Sequence, residues 1–397
     1  MQKNNLMTIL GLRSTPILKR NIPKSNRSCG KNQRPIRQSA RICNISRTHH
    51  IPITEMQHSS CIVKGLNSFY LGENKLLRLH GKIRSIDNAC EGPFTKAILN
   101  YLLQQGNKYN LIPHTKRDAF INAQFHTLIS YSFPYATSEN YQLAADLIFC
   151  LYAQDRIIDK SKLPNGLVNH FNNILLELLL NPNKQFSIND TLDPVIKLHQ
   201  DFFKKVSDCY GSRSEAFFTS YRNFLVVKTI EINLKKNHAA NIEDYMSRRE
   251  YSSGCDLVFH LGYLMKGLHI TSEKMNGIMF ASGRQLSTKA IYLANDILGF
   301  FMEYEESNID NIVILLEKTA PISHQEALTR SLNMLDETAL AFEMHSNYIK
   351  KYSKNNNEPD LLVCNEVQKY WITGNLAWSF ATERFKEVSN RREENYF

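Results

Sequence analysis

No uninterrupted apolar run in this chain approaches the roughly 20 residues that a bilayer-spanning helix needs. The nearest candidate, Asn173-Ile-Leu-Leu-Glu-Leu-Leu-Leu, is short and broken by Glu177, so no membrane span is expected. Glycine and proline are sparse, 16 and 12 in 397 residues. That argues against many turn-linked strands and for long helices. The eight cysteines (29, 43, 61, 90, 150, 209, 255, 364) form no Cys-x-x-Cys pair and no Cys/His cluster at zinc spacing, which suggests a reducing compartment. A Gly-rich phosphate loop, a His-Glu-x-x-His pair and a Gly-x-Ser-x-Gly elbow are also missing.

Acidic residues are absent from positions 1–54, which hold eleven Lys or Arg, and the net charge of +10 arises there. The rest of the chain balances, with 37 basic against 38 acidic residues. A basic segment rich in Ser and Asn, with Pro16, Pro23, Pro35 and Pro52, cannot bury much apolar surface, so residues 1–65 are expected to be a disordered leader. Residues 1–54 resemble an organelle transit peptide; a phosphate-binding tail or a leader without function are the other readings. No aromatic residue is present there to stack on bases, so a nucleic-acid partner is not expected. Localisation is then cytoplasmic, or organellar if the leader is a transit peptide.

What is abundant is phenylalanine and tyrosine, 21 and 18, within a 43% hydrophobic chain. From about residue 93 apolar positions recur at three- and four-residue spacing, with no strand-like alternation. The expected fold is all-α, a single large antiparallel bundle over 66–397. Helices are expected at 94–105 (stopped by Gly106), from Glu139 after Thr137-Ser138 toward Asp155, and at 165–180, 193–209, 213–236, 241–267, 272–303, 323–353 and 359–389. Short connectors such as Asn181-Pro-Asn-Lys imply antiparallel neighbours.

Asn295-Asp296-Ile-Leu-Gly299-Phe-Phe-Met302-Glu303 places an amide and a carboxylate eight residues apart. Each four-residue helical step turns about 400°, so positions 295, 299 and 303 stay near one face and span roughly 12 Å. Oxygen groups emerging from an apolar helix suit a divalent cation, or form a capping or solvated polar stripe. Asp155 and Asp159 are likewise four apart, at the end of an almost wholly apolar helix containing Ala144, Ala145, Leu147, Ile148 and Leu151. Two such carboxylates repel unless a cation lies between them; the alternative is pairing with Arg156 or Lys160.

Taken in order, these landmarks resemble the class I terpene synthases of microbial type, also found in non-seed plants, over roughly residues 95–390. Tyr131-Ser-Phe-Pro134-Tyr-Ala leading to Asp155 and Asp159 is similar to the family's approach to its aspartate-rich motif. Asn295-Asp296-x-x-Gly299-x-x-x-Glu303 is similar to its second metal motif. The family's diphosphate-sensing arginine lies 46 residues before that Asn, and 295 minus 46 is 249, which is Arg249 in Tyr245-Met-Ser-Arg248-Arg249. Asp310-Asn311 and the run Trp371-Ile-Thr-Gly-Asn375-Leu-Ala-Trp378-Ser379-x-x-x-x-Arg384 also look like the family, with Arg384 as a second diphosphate contact.

The resemblance implies an apolar cavity and three Mg²⁺ ions held by Asp155, Asp159, Asn295, Gly299 and Glu303. It further implies a prenyl diphosphate substrate, farnesyl diphosphate first, ionised and cyclised to a sesquiterpene by a carbon–oxygen lyase that is a monomer or homodimer. Phe149, Tyr152 and Trp378 are candidate cation-facing aromatics only, since an aromatic at helical spacing is more often core than cavity lining. Departures from the family pattern are Gln154 in place of a paired acid, Gly299 in place of a hydroxyl, Met302 in place of a basic residue, and Phe385 in place of Tyr. They admit a catalytically impaired scaffold of the same fold. The Asp155-x-x-x-Asp159 spacing also fits a head-to-head prenyl synthase of squalene or phytoene type, although that motif occurs here once.

Overall fold

Burial runs almost continuously around three helices, and this places them at the centre of the bundle. Residues 143–150, 255–264 and 371–376 are each buried without a gap. A helix apolar on every face belongs in the middle of its neighbours. The computed structural model describes residues 89, 91–160, 163–186, 192–234, 241–305 and 310–382. The expected leader at 1–65, together with Arg384 and Phe385, lies outside the described residues.

Among the described residues there are fourteen α-helices and no strand. In chain order they are α1 (Thr95–Lys108), α2 (Arg117–Asn122), α3 (Phe125–Ser132), α4 (Tyr141–Asp155), α5 (Asn165–Leu180), α6 (Asp193–Tyr210) and α7 (Glu215–Leu234). There follow α8 (Ile242–Ser252), α9 (Cys255–Met265), α10 (Ser272–Asn276), α11 (Ile278–Glu305), α12 (Ile312–Thr319), α13 (His324–Asn356) and α14 (Pro359–Ala381). A π turn, Arg156–Lys160, continues α4. α14 packs on α3, α9, α11 and α13, while α7 packs on α5, α8 and α9.

Local chemistry explains the starts. Asn241, Asn311 and Ser323 each accept a hydrogen bond from a first-turn N–H of α8, α12 and α13. Pro194 and Pro359 stand in the first turns of α6 and α14, where the missing N–H costs nothing.

The expected all-α bundle is what the structure shows, with differences at glycine. Helix 241–267 is two helices, because the backbone turns through Ser253 and Gly254, the latter at φ +75°. Helix 272–303 breaks at Gly277 into α10 and α11. Gly106 does not stop α1, which runs to Lys108; a Cβ there would run into the Ile112 side chain, so this glycine serves close packing. Gly374 does the same between helices: its Cβ would lie 2.8 Å from the Tyr131 carbonyl carbon and 2.9 Å from the Ser132 nitrogen, so α14 touches the α3 backbone.

Candidate active site

One cavity of about 870 Å³, its open mouth included, is walled by α3, α4, α7, α8, α9, α11 and α14. Its apolar lining includes Leu128, Ile148, Leu151, Tyr152, Phe224, Val258, Ile291 and Trp371. Its polar lining includes Asp155, Lys228, Arg249 and Asn295. Two of the expected metal ligands and the expected sensing arginine therefore meet in one cavity from three different helices.

Asp155 closes α4. Its carboxylate Oδ1 lies 3.7 Å from Lys228 Nζ on α7, and Lys228 is also 3.7 Å from Glu231 one turn on. Glu231 in turn takes Arg248 Nη1 at 3.3 Å, and Arg248 Nη2 lies 3.6 Å from Asp310. A line of alternating charge thus runs from the first metal motif to the loop before α12. The backbone after Asp155 is π-helical, with about 4.4 residues per turn. Position 159 then falls short of a full turn from 155 and stays near its face; the Asp159 side chain lies outside the described atoms.

The second motif divides its polar groups between two environments. Asn295 lines the cavity, whereas Asp296, fully buried, turns into the protein. The Asp296 carboxylate accepts from the Tyr245 hydroxyl, from Arg249 Nη2 at 3.1 Å and from the Ile312 N–H at 3.0 Å. It therefore orients Arg249 and neutralises the start of α12 together. Burial raises the Asp296 carboxyl above its ordinary value, while Arg249, Tyr245 and the Ile312 N–H oppose that rise. For Arg249, burial opposes the charge, but Tyr245, Asp296, Glu231 and Glu303 hold its pKa well above the usual value.

Gly299 is buried on α11 and offers no side-chain ligand. Glu303 is gripped by Asn311: Asn311 Nδ2 donates to Glu303 Oε2 at 2.9 Å and to the Asp296 carbonyl at 2.7 Å, while its Oδ1 caps Val313 N at 2.8 Å. Among the described residues no three acidic, His or Cys side chains converge into a preassembled cation cage. Asp155 and Asn295 nonetheless offer the cavity a carboxylate and an amide oxygen from two different helices, which is the chemistry a small hard cation accepts with water completing its shell.

Of the three candidate aromatics, Tyr152 reaches the cavity. Phe149 is packed in the core against Phe120, and the buried Trp378 donates its Nε1–H to the Ala123 carbonyl at 2.9 Å. Trp371, one of the family landmarks, is in the lining. Gln154 is 1% exposed, with neither amide atom hydrogen-bonded. Asp146 was not expected as a functional group; buried within α4, it is bonded by the Tyr101 hydroxyl at 2.9 Å and Lys205 Nζ at 2.6 Å and holds α4 to α1 and α6.

Asp296, Asn311 and Tyr245, quoted within the motifs but given no role from the sequence, hold Arg249 and Glu303 in place. A signal existed for two of them. Tyr245 is four residues before Arg249, hence on the same helical face, and Asn311 precedes an apolar run as an N-cap does.

The sequence model of terpene synthase family 2, C-terminal metal binding, matches residues 161–339. Alpha-muurolene synthase of Coprinopsis cinerea is 23% identical over 283 residues, 68% of this chain and 64% of that protein, so the match spans just under two thirds of that relative. Sesquiterpene synthase 6 of Postia placenta is 21% identical over 262 residues, 65% of this chain and 75% of that protein. In fold, the crystal structure of germacradien-4-ol synthase from Streptomyces citricolor superposes with a TM-score of 0.63 at 16% identity, covering 73% of this chain and 94% of that one. No helix among the described residues is long and apolar enough to cross a membrane.

Proposed function

We propose that this chain, which is similar to class I terpene synthases in fold and in the matched family model, ionises a prenyl diphosphate, farnesyl diphosphate first, and cyclises the resulting cation to a sesquiterpene with release of diphosphate. The observation that carries this reading is the meeting of Asp155, Asn295 and Arg249 at one apolar cavity. The similarity to a protein named as a sesquiterpene synthase supports the C15 substrate.

Asp155, Asp159, Asn295 and Glu303 would hold Mg²⁺, three ions by resemblance, with water at Gly299 where a side chain is missing. Bound Mg²⁺ supplies positive charge to the departing diphosphate. Arg249, kept protonated and aimed by Asp296, donates to phosphate oxygens as a fork rather than as a point charge; Arg384 is proposed as a second such donor. The apolar wall excludes water that would quench an allylic cation. Tyr152 and Trp371 present aromatic surface to that cation, each worth about 0.5–2 kcal/mol according to desolvation.

The reading is tested by incubating the protein with Mg²⁺ and C10, C15 and C20 prenyl diphosphates, with gas chromatography of the extract. A cyclic C15 hydrocarbon or alcohol is expected, and the absence of any terpene from all three substrates would refute it.

One observation favours a second reading, a scaffold that binds but turns over poorly. Gln154 takes the place of a paired acid and is turned inward rather than presented as a ligand. Calorimetry with Mg²⁺ and inorganic diphosphate, set beside the product assay, separates the two readings: binding without product identifies the scaffold. The segment 1–54 is proposed as a transit peptide, testable by the localisation of its fusion to a fluorescent protein.

A further inference from the structure

The cavity contains a cation that the two metal motifs do not account for. Lys228 stands on α7, and its side chain is only 10% exposed. Its ammonium is 3.7 Å from Asp155 Oδ1 and 3.7 Å from Glu231 Oε2, and it lies 6.0 Å from the centre of the Phe224 ring. Lys228 and Arg249 line the same cavity from neighbouring helices.

Resting on the function proposed above, we propose that Lys228 is a further diphosphate-binding residue. It would supply the positive charge that Met302 does not, and it would make metal loading at Asp155 conditional on the anion.

The reasoning is electrostatic. A buried ammonium beside a carboxylate is balanced while that carboxylate carries its own charge. When a divalent cation takes up the Asp155 charge, Lys228 faces like charge a few ångströms away, while Glu231 on its other side is shared with Arg248. A multiply charged anion entering the cavity removes the conflict, because the ammonium can donate to its oxygens and the anion's charge offsets that of the cation.

Lys228 would therefore oppose metal binding in the absence of diphosphate and favour it in its presence. A purely structural ion pair has no reason to act with opposite signs on the two ligands. The position suits such a role, since one of the two carboxylates beside Lys228 is Asp155 itself, as near as Glu231 at 3.7 Å. Glu231 anchors the arrangement from the other side, being held by Arg248 at 3.3 Å.

The test measures two equilibria in the full-length protein. Mn²⁺, used as the metal probe, is titrated alone with the free ion read by electron paramagnetic resonance. Inorganic diphosphate is titrated calorimetrically in saturating Mg²⁺. For Lys228→Met the expected result is Mn²⁺ binding tighter than wild type and diphosphate binding weaker by about tenfold, a change of 1.4 kcal/mol. Lys228→Arg, which keeps the charge, should restore diphosphate affinity, and it serves alone if the Met variant does not fold: its Mn²⁺ binding must stay weak until diphosphate is added.

Equal losses for both ligands, or no change in either, would overturn the proposal and leave Lys228 a structural ion pair. Mn²⁺ binding to wild type that is tight without diphosphate would also overturn it. If wild type binds Mn²⁺ but no diphosphate under any condition, the function proposed above fails with it, whereas intact wild-type binding with an unaffected Met variant removes only the role of Lys228.

Discussion

Asn311 Nδ2 donates to the Glu303 carboxylate at 2.9 Å, tying the last group of the second metal motif to the first residue ahead of α12. The same amide bonds the Asp296 carbonyl and caps Val313 N. A single side chain, fully buried, thus fixes the rotamer of a proposed metal ligand and the start of a helix. Asn311 is not among the residues lining the cavity and acts through Glu303; it is a positioning residue.

Asn311→Ala should lower stability by about 2–3 kcal/mol, combining a lost cap with a buried carbonyl left without its donor. Thermal unfolding reads this directly. Asn311→Asp keeps the acceptor for Val313 N but places a carboxylate against Glu303. Its Mg²⁺-dependent diphosphate affinity should therefore fall below that of the Ala variant even where its melting temperature is no lower. Equal diphosphate affinity in the two variants would show that Glu303 does not depend on Asn311 for its role.

Arg249 and Asp296 form the buried pair on which the sensing position depends. Arg249→Met would leave Asp296 uncompensated, a loss of about 3–5 kcal/mol. Adding Asp296→Asn to that variant should recover part of the stability without recovering product formation. Urea unfolding of the two singles and the double closes the cycle. If the double variant is no more stable than Arg249→Met, the pair is not what holds this region together.

Asp155 is the acid on which the first motif mainly depends. Asp155→Asn keeps the shape and removes the charge, and product formation should fall by at least about 100-fold, some 2.7 kcal/mol in the barrier. Chelation of wild type with EDTA should abolish turnover, and added Mg²⁺ should restore it. The far-ultraviolet circular dichroism of the variant should stay unchanged, which separates a lost ligand from a lost fold. Activity insensitive to the chelator would contradict metal-assisted ionisation.

The helical class and the boundaries of α5, α6 and α13 were readable because their apolar periodicity is long and their ends carry Pro, Asn or Ser where a helix wants them. The convergence of positions 155, 249 and 295 was legible through motif spacing, and all three line one cavity. What escaped was set by tertiary contact. Gly254 and Gly277 divide periods that look continuous in one dimension, and the periodicity of α3 was too short to register. The direction of Asp296 depends on Tyr245 arriving from another helix, so no local pattern could assign it. Nor could spacing along the chain place Lys228 beside Asp155, 73 positions away in sequence (228 minus 155).

The pH dependence of stability should carry the mark of His199. This ring is fully buried among Phe171, Phe203 and Tyr221; its Nδ1–H donates to the Val195 carbonyl at 2.7 Å, and Nε2 has no partner. Burial pulls its pKa from 6.5 down to about 4. The folded state therefore holds the ring neutral, and between these two values the unfolded chain binds the extra proton. The contribution, about 3 kcal/mol, is fully present above pH 6.5 and is lost progressively as the pH falls to about 4. Burial also depresses His126, His260 and His345, so His199 accounts for part of the slope only. Urea unfolding of wild type between pH 7.5 and 4 should show stability falling with acid, and His199→Leu should flatten that fall while leaving stability at pH 7.5 within about 1–2 kcal/mol of wild type. An unchanged slope in the variant would mean that the ring is protonated, and solvated, in the folded protein.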